Sequence, residues 1–276
     1  MTSAFFKRHS RVAKDLLKGL CLFWVMTMQL LYPKLVDTFG TVFDEAGNDF
    51  GVRVSPPLEH ALLKDHLTNL QTAQKQDPRV RMMDADVLKM LLQIDPINIG
   101  YEWYHLPQLL VFTKEEGRFY ARVLKNIPLH IHQRIAEEGF NMHRYEHEYV
   151  FNTEAVGLES LMAGATRRDA PDGTEKFAFE EDNTLTAFAK YPLVQDILGT
   201  AAPLVAKHSA TFRNNTFFGC STHRRLTNYL GNNEGLAVAQ PVFVGPVGIY
   251  ISCGGEGVNQ FYCKGRSRLV VIEAKK

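Results

Sequence analysis

Hydrophobic residues recur at helical spacing through most of the chain before residue 211. Leucines between positions 58 and 70 form one stripe, after a Ser-Pro-Pro helix start at 55–57. A capping box at 113–116 indicates another helix start. Similar patterns predict further helices over 84–94, 118–126, 128–138, 141–163 and 184–208, the last interrupted at Pro192.

The pattern changes after residue 211. Short apolar runs of the β type are separated there by glycines, including Gly254, Gly255 and Gly265, which predicts a small sheet. The expected fold is therefore a mainly α helical domain with a small antiparallel β C-terminal region, an α+β protein. The predicted divisions are an anchoring segment at 1–36, a helical domain at 55–164, a loop or linker at 165–183, and a helix plus β-rich region at 184–276.

The N-terminal segment combines a basic stretch with an apolar run. The basic residues that precede the first acid, Asp15, are Lys7, Arg8, Arg11 and Lys14. This charge pattern is typical of a mitochondrial import segment. Residues 19–32 are uncharged, although a comfortable bilayer span needs about 20 residues. We expect residues 1–36 to anchor the chain in or on a membrane; a solvated basic tail, a buried core helix and a removed signal are the alternatives.

Composition excludes several classes of protein. The 276 residues carry 31 basic and 30 acidic side chains, a net charge of +1, so the chain lacks the basic excess of a protein that coats nucleic acid. Its four cysteines form no C-x-x-C pair, which argues against a disulfide framework and an all-cysteine zinc site. A reducing compartment fits this cysteine usage best.

A histidine and glutamate cluster is the strongest candidate for a metal site. His143 and His147 are four residues apart, so on a helix both imidazoles would project from one face, as two zinc ligands do. With Glu146 they also form the H-x-x-E-H string of some zinc proteases. Glu159 offers a third ligand. On one unbroken helix it would lie about 18 Å along the axis from His147, so a shared ion requires a break near Asn152 or Gly157.

The spacing H-x-x-x-H-x11-E resembles the signature H-D-x-x-H-x11-E of the zinc-motif ubiquinone-biosynthesis family. The resemblance spans about residues 77–163 and includes the segment Gly100-Tyr-Glu-Trp-Tyr. It implies that His143, His147 and Glu159 are metal ligands in a site that acts on the head group of a polyprenylated aromatic ring. The family's aspartate after the first histidine is Arg144 in this chain, which places a cation beside the ligands.

A second, weaker constellation contains a possible nucleophile. Cys220 and His223 lie close in sequence, next to Arg224 and Arg225. Without an evident group to orient the histidine, the pattern favours a structural role over nucleophilic catalysis.

Two functional interpretations follow. The first is a supernumerary structural subunit of a mitochondrial inner-membrane complex, such as the respiratory chain or ATP synthase, with a degenerate site and no cofactor. The alternative is an active zinc-dependent protein of ubiquinone biosynthesis. Arg144 favours the first interpretation, and with it a protein that is not an enzyme. The expected partners are other subunits and membrane lipids, with no nucleic acid.

Overall fold

A computed structural model describes most of the chain. The described residues are 35–43, 49–56, 58–60, 63–94, 104–138, 140–141, 148–178, 184–210, 215–245, 248–250 and 265–273. Nine α-helices are described: α1 (Leu63–Gln76), α2 (Ala85–Ile94), α3 (Leu129–Glu138), α4 (Thr153–Val156), α5 (Glu159–Gly164), α6 (Thr184–Lys190), α7 (Pro192–Leu198), α8 (Ala202–Ala210) and α9 (His223–Leu230). Short 3-10 helices cover Leu35–Thr38 and Gly199–Ala201.

Fifteen strands are described. The first eight are β1 (Gly40–Phe43), β2 (Asp49–Val54), β3 (Leu58–His60), β4 (Arg81–Met82), β5 (Tyr104–Glu115), β6 (Arg118–Leu124), β7 (Phe140–Asn141) and β8 (Tyr149–Asn152). The remaining seven are β9 (Arg168–Asp169), β10 (Thr174–Ala178), β11 (Asn215–Gly219), β12 (Leu236–Gly245), β13 (Gly248–Tyr250), β14 (Gly265–Ser267) and β15 (Leu269–Ile272).

A large mixed sheet of 11 strands forms the centre of the molecule. Its main path runs β10-β11-β13-β12-β5-β14-β3, with β6 beside β5 and β8 beside β12. The long strands β5 and β12 pair antiparallel from Ala237 opposite Thr113 to Val244 opposite Tyr104. Both are apolar along most of their length, since the sheet is covered on both faces.

The two faces of this sheet contribute to separate hydrophobic cores. Leu110 and Phe112 of β5 pack in a core that also contains residues of α2, α7 and α8. Leu109 and Val111 point to the other face, where they pack with Ile131 and other residues of α3. Strand β5 therefore has only two polar positions between Tyr104 and Phe112, His105 and Gln108, and an alternating pattern is absent from its sequence.

A second, four-stranded sheet brings together the two ends of the described chain. Its order is β1-β2-β15-β4, all antiparallel. Leu269 and Val271 of β15 pack against Leu70 and Ala73 of α1 in a third core. The C-terminal strands therefore complete sheets that begin near residue 40.

The predicted fold class, mainly α helical with a small C-terminal sheet, is wrong. Sheets run through the whole described chain, and the C-terminal strands join N-terminal ones. The helix predicted over 118–126 is strand β6, and the capping box before it is the end of β5 and a hairpin turn with positive φ at Glu116 and Gly117. Pairing with β5 along seven residues outweighs the local helical signal there.

The helix predicted over 141–163 is also wrong. Within that range the described residues form the end of β7, then β8, and two short helices, α4 and α5. The stretch predicted as a linker, 165–183, contributes β9 and β10 to the large sheet.

The expectation of a helical membrane subunit is wrong, because the described chain has a mixed α/β architecture. Across the described residues, no helix combines the length and the apolar character needed to cross a bilayer. Residues 1–34 of the predicted anchor lie outside the described residues. Val36, at the end of that segment, is buried in the third core.

Candidate functional site

Of the three predicted metal ligands, only Glu159 lies within the described residues. His143 and His147, with Arg144 and Glu146, lie outside the described residues. Glu159 is described and exposed, as the first residue of α5. Among the described residues, no group of three or more His, Cys, Asp or Glu side chains could hold a metal ion.

The chain breaks at the place that the metal hypothesis required. The Asn152 side chain accepts a hydrogen bond from the Ala155 backbone N–H and so caps α4. Gly157 ends α4 in the left-handed region at φ 72°. Glycine adopts this conformation at no steric cost because it has no Cβ, and it lets the chain turn before α5 begins. Glu159 is therefore not on one helix axis with the residues before Asn152.

A buried carboxylate lies directly after the segment that carries the two histidines. Glu148 is 1% exposed and accepts a hydrogen bond from the Ser221 hydroxyl. Tyr229 Oη and Gln240 Nε2 each donate to it over 2.6 Å. Arg225 Nε lies 3.2 Å from the same carboxylate and 3.0 Å from Tyr229 Oη. We call these five side chains the Glu148 cluster.

The Glu148 cluster joins three parts of the fold. Glu148 precedes β8, Arg225 and Tyr229 are on α9, and Gln240 is in the middle of β12. Burial raises the pKa of Tyr229, and its hydrogen bond to Glu148 raises it further. The phenol therefore remains a hydrogen-bond donor, as the carboxylate requires.

The cysteine and histidine of the second sequence pattern have separate structural partners. Cys220 is buried, and its thiol donates to the Gly173 carbonyl oxygen over 3.2 Å. Burial raises the pKa of this thiol, which disfavours the reactive thiolate. The His223 ring nitrogen Nε2 lies 2.8 Å from the Ala170 carbonyl oxygen, and its ring packs against Phe119 at 5.1 Å. Arg224 is exposed, whereas Arg225 belongs to the Glu148 cluster.

A cavity of about 500 Å³ opens between the N-terminal helices and the large sheet. Its wall includes residues of α1, β4, α2, β5, α3 and the end of α7. Charged side chains at this wall are Arg81, Asp84, Asp86 and Lys125. Arg81 and Asp84 pair with each other at 2.9 Å, and Asp86 and Lys125 are exposed.

The inner wall of this cavity contains two buried polar side chains, His132 and Gln108. Burial lowers the pKa of His132 from 6.5 to about 4, and the nearby Pro107 carbonyl oxygen opposes the shift. The imidazole is therefore neutral at physiological pH. Neither His132 ring nitrogen has a hydrogen bond of good geometry to a described residue, and the same is true of Gln108 Oε1. Gln108 Nε2 makes a long contact of 3.5 Å to the Ile197 carbonyl oxygen.

The sequence patterns predicted neither the cavity nor the Glu148 cluster. Glu148 is separated from its partners by 73 to 92 positions, and no local pattern connects them. A weak signal was present for Gln240, which is a polar residue within an otherwise apolar β-type run. Such a residue in a fully buried strand needs a polar partner.

Comparison with known proteins adds little to this site. No model of a protein family matches the chain, and no curated protein matches it. One solved structure, described as "Accommodation of massive sequence variation in Nanoarchaeota by the C-type lectin fold", is 13% identical to this chain. The match covers 75% of this chain and 93% of that one, with a TM-score of 0.47.

Proposed function

We propose that the protein is a structural subunit of a mitochondrial inner-membrane complex, in which this mixed α/β body lies beside the membrane. The observation that carries the proposal is the use of reactive side chains as structural ties. The carboxylate, thiol and imidazole groups at Glu148, Cys220 and His223 each bind groups of the protein itself.

The burial of the Glu148 cluster supports a structural role over catalysis. A catalytic carboxylate must reach the substrate, whereas Glu148 is 1% exposed and surrounded by its own donors. Its partners belong to α9 and β12, so the cluster holds the helix on the sheet. A tie of this kind favours one well-defined arrangement of the elements.

The N-terminal sequence supports the location. Basic residues without an acid before Asp15 are typical of import into mitochondria, and the apolar run at 19–32 suits the membrane surface or interior. This part of the proposal depends on sequence alone.

The small sheet offers a surface for a partner subunit. Phe43 of β1 is 51% exposed and Ile272 of β15 is 44% exposed, and the two strands belong to the same sheet. Large apolar side chains exposed on a surface are often found at protein interfaces.

Native electrophoresis of mitochondria tests the proposal. The full chain, with a C-terminal tag and expressed in the cells of origin, should sediment with the inner membrane and migrate in a complex much larger than its 31.3 kDa. A Phe43→Ser, Ile272→Ser double variant should enter mitochondria yet leave the complex, since it loses apolar contact area. Thr41→Ala, at an exposed position of β1, is the matched control and should remain in the complex. Phe119→Ser, on the other sheet, is unsuitable as a control because Phe119 is partly buried. A full chain that migrates only as a monomer would contradict the proposal.

The zinc-dependent alternative is favoured by one observation, the turn at Gly157. This turn removes the geometric objection that a continuous helix would have raised against Glu159 as a ligand. Elemental analysis of the purified full chain decides this point. One zinc per chain, lost in both His147→Ala and Glu159→Ala but kept in Glu154→Ala, would support the enzyme and contradict a degenerate site.

A further inference from the structure

Two buried polar side chains at the inner wall of the cavity have capacity for further hydrogen bonds. His132 is 1% exposed and Gln108 is 7% exposed, and both line the cavity. His132 comes from α3 and Gln108 from β5, so two separate elements bring them to the same wall. A buried polar atom normally has a hydrogen-bond partner in the protein, in water or in a ligand. The described residues supply no such partner for the His132 ring nitrogens or for Gln108 Oε1.

The unsatisfied atoms at this wall are chiefly hydrogen-bond acceptors. A neutral imidazole has one N–H donor and one acceptor nitrogen. The Pro107 carbonyl oxygen near the His132 ring favours a proton on the nitrogen that faces it, which leaves the other nitrogen as an acceptor. Gln108 Oε1 is a second acceptor, whereas Gln108 Nε2 has its long contact of 3.5 Å to the Ile197 carbonyl oxygen. A molecule that satisfies this wall must therefore donate hydrogen bonds.

The rest of the cavity favours an uncharged molecule with an apolar body. Apolar side chains from several helices line it, among them Leu70, Leu129 and Ile197. The charged side chains among the described lining residues are two cations and two anions, whose charges cancel. The polar groups at the inner wall are neutral as well, so the site has no net charge with which to attract an ion. Its volume of about 500 Å³ is within the range of small-molecule sites.

We infer that the cavity binds a small uncharged molecule whose polar end donates hydrogen bonds to His132 and Gln108. A primary carboxamide on an apolar ring or chain fits this description most fully. Its NH₂ group has two donors for the two acceptors, and its carbonyl oxygen can accept from Gln108 Nε2. An alcohol has one donor and satisfies one of the two acceptors. A carboxylate has no donor, and its charge would be costly beside buried neutral groups.

Titration of the purified full chain with benzamide, followed by ligand-observed NMR, tests this inference. Benzamide is a primary carboxamide on an apolar ring, and we expect saturable binding with a Kd on the order of 1 mM for a molecule of this size. Acetophenone is the matched probe, because a methyl group replaces the NH₂ group at nearly the same volume. It should bind about tenfold more weakly, since it donates no hydrogen bond. Benzoate has the same ring but carries a charge, and should bind no better than acetophenone.

Substitutions at the inner wall separate a lost hydrogen bond from an altered cavity. His132→Leu and Gln108→Leu each remove one acceptor, and each should weaken benzamide binding by about tenfold. Acetophenone binding should stay nearly unchanged in both variants, because acetophenone does not use these acceptors. His130→Leu is the matched control, since His130 is exposed on the same helix as His132, and it should bind benzamide as the unaltered chain does.

Several results would overturn the inference. These are equal affinity for benzamide and acetophenone, tighter binding of benzoate than of benzamide, unchanged benzamide binding in either leucine variant at the inner wall, or no saturable binding of benzamide. The titration uses the isolated chain and does not depend on the proposed complex. Its failure would therefore leave the proposed location and assembly to be decided by native electrophoresis.

Discussion

The Glu148 cluster and the inner wall of the cavity are both buried and polar, but they differ in how the titratable group of each is satisfied. The Glu148 carboxylate receives hydrogen bonds from three side chains and lies beside a guanidinium group. In contrast, neither His132 ring nitrogen has a hydrogen bond of good geometry to a described residue; single amide oxygens without one occur in both regions, at Gln108 and at Gln240. The Glu148 cluster is organised around a charged group, whereas the histidine of the cavity wall, His132, is neutral.

The difference shows how this fold handles buried polarity. A buried charge is tolerated only where its partners are complete, because an unpaired ion in the interior costs several kcal/mol. A neutral polar group costs about 1–3 kcal/mol when it is unpaired, which a domain of this size can bear. The stability of the Glu148 cluster therefore depends on each of its side chains, whereas the stability of the cavity wall does not depend on each of its polar side chains.

The largest effect is expected for removal of the buried charge. Glu148→Ala leaves Arg225 without its carboxylate and removes the acceptor that three donors share, so it should lower the free energy of unfolding by about 3–5 kcal/mol. Denaturant unfolding followed by circular dichroism measures this change. Glu137→Ala, an exposed carboxylate on α3, is the control and should change stability by less than about 0.5 kcal/mol. Similar effects of the two substitutions would show that the Glu148 cluster is not a structural tie.

Acid should destabilise the second region through His132. The folded-state pKa of His132 is about 4, below the ordinary value of 6.5, so between these values the unfolded chain binds more protons than the folded one. Above about pH 6.5 His132 is neutral in both the folded and the unfolded chain and does not reduce stability. As the pH falls to 4, protonation of His132 in the unfolded chain should lower the free energy of unfolding by about 3 kcal/mol.

His132→Leu should remove this part of the pH dependence between pH 6.5 and 4. His130→Leu, an exposed histidine on the same helix, should leave the slope as it is. Unfolding curves at several pH values compare the three proteins. Identical slopes for the unaltered chain and His132→Leu would mean that His132 is accessible to protons in the folded state.

A smaller effect is expected when a buried glutamine is replaced by leucine in each of the two regions. Gln240→Leu removes the amide that donates to Glu148 and to Ser221 over 2.6 Å each, and should cost about 1–3 kcal/mol. Gln108→Leu removes an amide with one long contact and should change stability by no more than about 1 kcal/mol in either direction. The same thermal or denaturant measurement serves both variants. A larger cost for Gln108→Leu than for Gln240→Leu would reverse the comparison.

The sequence predicted helices well where one face of the helix is buried. The helix expected over 84–94 is α2, which begins at Ala85 after Asp84, and the one expected over 128–138 is α3. The interruption at Pro192 is also confirmed, since α6 ends at Lys190 and α7 begins at Pro192. Local capping and an amphipathic pattern suffice for such elements.

The strands before residue 211 were not predicted, whereas the β-type runs expected after it overlap β11, β12 and β15. The apolar run in β5 has no alternation, and its identity depends on pairing with β12, more than 120 positions away, as in the pair Val111 and Ala239. The Glu148 cluster is likewise a product of tertiary contact. Local sequence predicts the helices that cover the sheet, and distant pairing determines the sheet itself.

The pairing of β15 with β2 and β4 constrains the order of events when the chain is made. Strand β15 lies more than 200 positions after β2, so the small sheet cannot close until the ribosome has released residues 269–272. Strand β14, which pairs with β3 and β5, imposes the same delay on that edge of the large sheet. Contacts over such distances form slowly, because the loop must be closed before it is stabilised. An emerging chain would therefore keep both of these edges open until residues 265–272 are available, and a chain whose sheets are unfinished can still be threaded through a narrow translocation pore.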